Sequence, residues 1–334
     1  MNNESRYHRQ SLIPDWDQQK LKNAKVIILG IGALGSYVAT NLTLAGVGSL
    51  ILVDFDTIET SNLNRQLLFV NDDVGKNKAE IAAQKLKKLN EDIDIIPFGK
   101  SMEELPNSLI SGTSLLLSCL DTFPGRRWAN SLAIREKVPM ITGGMYAFIG
   151  QIQTIIPYKT PCFECQPLIP EEKLAQACSP LGEKRKELRE EKEEPSLPAV
   201  STVSSIIGGL MSQECLKLLL EIGVPLNNYM VYDGLNNNYT TIELSKNKNC
   251  PICGDNYKLK SAILLIFKDD NLTSVKNRIA YAFGLADPKL MIKGKFLSDD
   301  HKINWDNKTI IFVLDDRLAL PLSLKVKFEK ISKG

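Results

Sequence analysis

The sequence has almost no net charge. Lysine and arginine number 41 and aspartate and glutamate 39 in 334 residues, a balance of +2 with two histidines. The dense basic footprint of a protein that works on DNA, RNA or an anionic membrane is absent, so neither nucleic acid nor membrane is an expected partner. Long apolar runs are also missing to the eye: the longest candidates, Val26–Leu29 and Ala262–Phe267, fall far short of the roughly 20 residues that cross a bilayer. The first residues, Met1 to Tyr7, have no apolar centre of the kind a secretion signal needs. A cytoplasmic location is therefore expected. No internal repeat is visible.

What is present is an ordinary globular composition with an odd number of cysteines. At 43% hydrophobic residues, a chain of this length divides into roughly two domains of about 150 residues, each able to close a core without disulfides. Seven cysteines then need another explanation. Four fall into two C-x-x-C pairs, which in a reducing compartment points to metal rather than cystine.

Residues 24–56 read as a parallel βαβ unit: the β-branched run Lys25–Leu29, a glycine turn, a helical stretch Ser36–Ala45, and a second apolar strand Ser49–Asp54. Further strands are expected at Ile93–Pro97, Ser114–Cys119, Pro139–Thr142 and Gln151–Ile156, with helices at Lys76–Leu89 and Gly125–Lys137. That alternation predicts an α/β fold with a Rossmann-like, doubly wound, mostly parallel sheet. Between residues 166 and 198 the texture changes to a crossover loop whose segment Glu183–Glu194 carries eleven charges in twelve residues, a solvated face by composition. A buried helix is expected at Ser204–Glu221. From residue 256 a strand, a helix and several short strands suit a small α+β module.

The turn Gly30-Ile31-Gly32-Ala33-Leu34-Gly35 satisfies G-x-G-x-x-G between strand and helix, and Asp54 follows about 20 residues later. Glycines there allow the backbone to approach phosphate, the helix N-terminus offers unpaired N–H groups, and Asp54 can accept from ribose hydroxyls. Alone, this pattern favours a nicotinamide dehydrogenase. Asn62, Arg65 and Lys78 argue instead for a triphosphate, because two cations beyond the ribose carboxylate would offset charge developing on a leaving pyrophosphate. The competing reading makes Arg65 and Lys78 surface charges. Asp121, directly after an apolar strand, could hold Mg²⁺ against phosphates or could cap the next helix.

These residues carry a resemblance. Arg6-Tyr7-His8-Arg9-Gln10, Gly30–Gly35, Asp54-Phe55-Asp56, Ser61–Gln66, Val74–Lys78, Asp121 with Arg126, and the cysteine pairs are similar, in order and over about residues 5–254, to the ThiF/MoeB/HesA superfamily. That superfamily holds the adenylation domains of ubiquitin-activating and sulfur-carrier-activating enzymes. The resemblance implies ATP with Mg²⁺, nucleotide contacts at Gly30, Gly32, Gly35 and Asp54, and phosphate contacts at Asn62, Arg65 and Lys78. It also implies magnesium at Asp121 and an Arg9 that reaches the triphosphate across a homodimer interface. Two positions depart from the pattern: Ala33 replaces a common glycine, and Thr122 stands where an asparagine often follows the aspartate.

Cys162-x-x-Cys165 and Cys250-x-x-Cys253, 84 residues apart, suit a closed tetrahedral Zn²⁺ site. Redox dithiols are the alternative, without the thioredoxin-like context they need. Of the remaining cysteines, Cys119 and Cys215 read as core residues, whereas Cys178 opens the charged crossover and becomes a nucleophile if cations or a helix end lower its pKa. Activating enzymes of the ubiquitin type carry a thioester-forming cysteine there. The expectation is thus an adenylation domain over 1–255 and a β-grasp, ubiquitin-fold-like domain over 256–334. The chain would activate a ubiquitin-like protein ending in glycine, carry it on Cys178 and pass it to a conjugating enzyme. The alternatives are a sulfur-carrier adenylyltransferase that stops at the acyl-adenylate, or a non-catalytic scaffold.

Overall fold

A computed structural model of the protein describes residues 5–165, 198–254 and 262–328, apart from residues 228, 249, 251, 268–269, 284, 286, 299 and 316–321. The chain divides into two compact units. One comprises Met1–Thr122, Lys137–Thr160 and Ser196–Leu244, and the other comprises Phe123–Glu136, Pro161–Pro195 and Ser245–Gly334.

The first unit is built on an eight-stranded sheet in the order β3-β2-β1-β4-β5-β6-β7-β8. Its strands are β1 (Lys25–Leu29), β2 (Ser49–Val53), β3 (Asp94–Phe98), β4 (Leu115–Ser118), β5 (Met140–Tyr146), β6 (Ile149–Ile155), β7 (Tyr229–Asp233) and β8 (Asn238–Ile242). The first five are parallel, and the Val, Ile and Leu runs of β1, β2 and β4 are buried on both faces because helices cover parallel sheets, whereas no residue of the edge strand β3 is buried. From β5 onward every pairing is antiparallel. The Rossmann-like half was expected. The antiparallel return of β6 and the strands β7 and β8 were not, because only Tyr229 and Tyr232 of β7 are buried and all five residues of β8 are exposed, leaving no apolar alternation to read.

Strand β1 lies between β2 and β4, so the chain leaves it in opposite directions on the two sides. That switch point opens a crevice at the carboxyl ends of the strands. Helices α1 (Gln18–Asn23), α2 (Ala33–Ala45), α3 (Lys78–Leu89) and the short α4 (Asn107–Ile110) belong to this unit. α2 ends in a left-handed cap at Gly46, φ 80°, as helices stopped by glycine do.

The long helix of this unit, α6 (Ser201–Leu220), comes in chain order after α5 (Phe123–Glu136), which belongs to the second unit. Its mean hydropathy of 1.2 makes it long and apolar enough to cross a membrane. The buried helix expected at Ser204–Glu221 is observed, and it begins three residues earlier. Here Val203, Ile207, Met211 and Cys215 sit in the same core as Leu34, Val38 and Leu42 of α2. The expected burial of Cys119 and Cys215 is observed, at 9% and 0% exposed.

The second unit contains α5 (Phe123–Glu136), both cysteine pairs and a five-stranded sheet. That sheet comprises β9 (Ala262–Ile266), β10 (Lys289–Ile292), β11 (Lys295–Phe296), β12 (Ile310–Leu314) and β13 (Leu322–Phe328), in the order β11-β10-β12-β13-β9. The first and last strands pair in parallel and the others antiparallel. Helix α7 (Leu272–Phe283) supplies Leu272, Val275 and Ile279 to a core with Leu264, Ile266, Ile311, Val313, Leu324 and Val326. Period-two alternation in the strands and the 3.6-residue period of α7 put those residues on one side.

Candidate nucleotide site and cysteine cluster

The glycine turn lies at the switch point, between β1 and α2. Gly30 has φ +86°, and its N–H donates to the Val53 carbonyl at 2.8 Å, which ties the end of β1 to the end of β2. A Cβ on Gly35 would lie 2.0 Å from the Gly30 carbonyl oxygen, so that glycine is required by the close approach of helix to turn. Gly32 differs. It caps α2 without a side-chain hydrogen bond, and a Cβ there would meet only the Gln66 Nε2, at 3.8 Å. The protein does not itself need a glycine at 32, and the space above it is open at a helix N-terminus, where orphan N–H groups favour an anion.

Asp54, just past β2, is fixed rather than free. Its carboxylate accepts from Ile31 N–H at 2.7 Å and from Asp56 N–H at 2.9 Å. Burial pushes its pKa up to about 6, against the opposing pull of Lys78; Asp56 adds to the rise. The loop beyond β2 is clasped to the start of α3: Ile58 N–H donates to Lys76 and Lys78 N–H to Asp56, and Asn77 Nδ2 donates to the Asp54 carbonyl at 3.1 Å. This clasp brings Lys78 back beside the acids. Its ammonium is buried and pairs with Asp56 at 3.1 Å, so the surface-charge reading of Lys78 does not hold.

The turn Thr60–Gln66 carries the other polar groups. Asn62 is buried and accepts from Glu59 N–H at 3.2 Å. Arg65 is half-buried and donates to the Ser61 carbonyl at 2.6 Å and to Asn64 Oδ1 at 2.9 Å, which folds it onto its own turn. Asp121 is exposed just beyond β4, at the same carboxyl edge as Gly30 and Asp54. One carboxylate beside phosphates is a usual donor set for Mg²⁺. Arg9 is exposed at the other end of α2: its neighbour Gln10 donates to the Ala45 carbonyl at 2.8 Å, and thirteen residues of helix span about 20 Å. Arg9 is thus not gathered with the other cations in this chain. Sequence reasoning missed the Asp56–Lys78 pair and Gln66, although the aspartate, the lysine and the glutamine all stand in the motifs it singled out.

The ThiF family profile matches residues 5–252. The chain belongs to the ThiF family. It is similar to the sulfur carrier protein adenylyltransferase of Thermus thermophilus, 31% identical over 261 residues, covering 75% of this chain and 90% of that one. It is also similar to the molybdopterin-synthase adenylyltransferase of Salmonella typhimurium, 33% identical over 256 residues, covering 75% and 96%. Among solved structures, Escherichia coli MccB with ATP superposes with a TM-score of 0.62 at 27% identity over 75% of each chain. Two of these relatives are named adenylyltransferases, and the third is solved with ATP.

This ThiF-family chain also gathers its four paired cysteines. Cys162, Cys165, Cys250 and Cys253 are buried, with all four Sγ atoms within 4.8 Å of one another. Cys162–Cys250, Cys165–Cys253 and Cys162–Cys165 are 3.6, 3.4 and 3.9 Å apart. Zinc–sulfur bonds of about 2.3 Å in a tetrahedron give edges of about 3.8 Å. The donor set therefore fits zinc with no open position. Hydrogen bonding among the sulfurs holds Cys165 low and Cys162 high. Helix α5 braces the first knuckle, since Asn130 accepts from Phe163 N–H at 3.1 Å and Arg127 pairs with Glu164. Cys178 lies outside the described residues.

Proposed function

We propose that this chain is an ATP-dependent adenylyltransferase acting on the C-terminal carboxylate of a small carrier protein, of the sulfur-carrier-activating kind. The observation that carries the proposal is the open space at Gly32 beside the fixed carboxylate of Asp54. A nucleotide with its ribose on Asp54 would lay its phosphates over the start of α2. Asn62, Arg65 and Lys78 would line those phosphates once Arg65 turns out from its own loop. The carrier's carboxylate oxygen would bond to the α-phosphorus as the α–β anhydride bond breaks, releasing pyrophosphate and leaving an acyl-adenylate. Such catalysis is positioning plus neutralisation of charge on the leaving group.

Asp121 would hold Mg²⁺, and a bound magnesium supplies charge neutralisation for the phosphates. Arg9 would complete the site of a second protomer, which makes a homodimer part of the proposal, as is a cytoplasmic location. The cysteine cluster would hold structural zinc. The adenylation domain would extend over 1–255.

A second reading, ubiquitin-type activation with a thioester on Cys178 and transfer to a conjugating enzyme, is favoured by one feature. The chain continues beyond the family match into the sheet β9–β13, which would be a ubiquitin-fold-like domain over 256–334. Incubation with ATP and a small β-grasp protein ending in glycine, run on a non-reducing gel, separates the two. The first reading predicts an adenylate with no reductant-sensitive adduct. An adduct lost in Cys178→Ala would establish the second.

A further inference from the structure

Gln66 is the last residue of the turn that carries Asn62 and Arg65, and nothing above gives it a role. It is 5% exposed, and its backbone is pinned on both sides: its N–H donates to the Asn62 carbonyl at 3.0 Å and its carbonyl accepts from Phe69 N–H at 3.2 Å. Its side chain is not satisfied. Oε1 is buried and has no hydrogen-bond partner among the described residues, while Nε2 is the atom nearest to Gly32, 3.8 Å from where a Cβ would stand. A buried amide oxygen left unpaired costs free energy that an apolar side chain of the same shape would avoid. The side chain is thus held here with no hydrogen bond to the described residues, and the N–H turned toward Gly32 is left for a group that arrives from outside.

The ligand that fits is fixed by geometry. The carboxylate of Asp54 is bonded to the N–H of Ile31, the residue before Gly32, so a ribose held by Asp54 sets its 5′ side toward Gly32. The first group there is the α-phosphate. Nε2 already faces Gly32, so the amide presents its N–H, without turning, to an anion that settles there. Phosphate oxygens accept only. We propose that the Gln66 amide donates a hydrogen bond to the α-phosphate of the nucleotide, holding the phosphorus at which the acyl group is exchanged for pyrophosphate. This rests on the adenylation reading and adds a residue to it. The α-phosphate stays in the adenylate, so the contact would serve ATP, the adenylate and AMP alike, whereas Arg65 and Lys78 would serve the leaving pyrophosphate.

The test uses the full-length protein and its Gln66→Leu and Gln66→Met variants, which keep the buried volume and remove the amide. Melting temperature without ligand and affinities for ATP, AMP and adenosine are measured for each. The expected result is an unchanged or higher melting temperature, ATP and AMP bound about tenfold to a hundredfold more weakly, and adenosine bound as in the wild type. A structural role would lower the melting temperature of the free protein and leave the affinities alone; that outcome overturns the proposal. An equal loss for adenosine overturns it too, because the contact would then be to the nucleoside. Wild-type protein that binds no ATP defeats the adenylation reading itself. ATP binding that is equal in wild type and both variants defeats only the role of Gln66.

Discussion

The nucleotide edge and the cysteine cluster both bury polar groups, and they do so in opposite ways. At the cluster four thiols converge until their sulfurs are within 4.8 Å of one another, with no direction left open. At the edge each group is tied on one side and left available on the other: Asp54 holds two backbone N–H groups yet its pKa is pushed up to about 6 by burial, Gly32 has open space above it, and the Gln66 amide turns its N–H toward that space. A closed shell of donors is a fastening, whose occupant need never leave. A half-satisfied set is costly in the free protein and is relieved when a ligand arrives and departs, which is what turnover requires.

Removing the fastening should have the largest effect. Structural zinc contributes apparent binding free energies of about 10–16 kcal/mol in small metal domains. Chelation, or Cys250→Ser, should therefore release one equivalent of zinc by elemental analysis and lower the melting temperature by more than any single change at the nucleotide edge. If metal-free protein melts like the wild type, the cluster is not a fastening.

The strain at the other region is next. Between about pH 3.8 and 6 the folded chain keeps a proton on Asp54 that the unfolded chain has released, so stability falls as pH rises through that window and is level above it. The span corresponds to about 3 kcal/mol. Urea titrations of wild type and Asp54→Asn across this range should differ by a slope present only in the wild type.

The glycines split the same way. Gly35→Ala, which sets a Cβ 2.0 Å from a backbone oxygen, should cost about 2 kcal/mol of stability. Gly32→Ala should leave the melting temperature within a degree or two and weaken ATP, because only a ligand needs that space. The smallest effect is on ATP affinity itself. If ribose hydroxyls bind the ionised Asp54, ATP should bind about tenfold more weakly at pH 5 than at pH 7, by calorimetry.

How much of this was legible in the sequence follows from range. The parallel strands and α2 announced themselves because buried strands are continuous apolar runs and the glycine turn needs its residues in fixed order. Strand β8 did not, since it is an exposed edge with no apolar face. The two C-x-x-C pairs pointed to one site because metal ligands come in knuckles. The pairing of Lys78 with Asp56, 22 residues apart, depends on a clasp between the loop after β2 and the start of α3, which no local pattern encodes. The orphaned oxygen of Gln66 was invisible for the same reason: a missing partner is a property of the folded surroundings.

The central claim is that the open edge accepts ATP and transfers its adenylyl group to a carrier's carboxylate. Exchange of labelled pyrophosphate into ATP measures that step directly, with the purified protein, ATP, Mg²⁺ and a small β-grasp carrier ending in glycine. The account predicts exchange that requires the carrier, disappears when the carrier's terminal glycine is removed, and is lost in Asp54→Asn and Asp121→Ala. A folded, zinc-loaded protein that shows no carrier-dependent exchange with sulfur-carrier proteins or ubiquitin-like modifiers would contradict it.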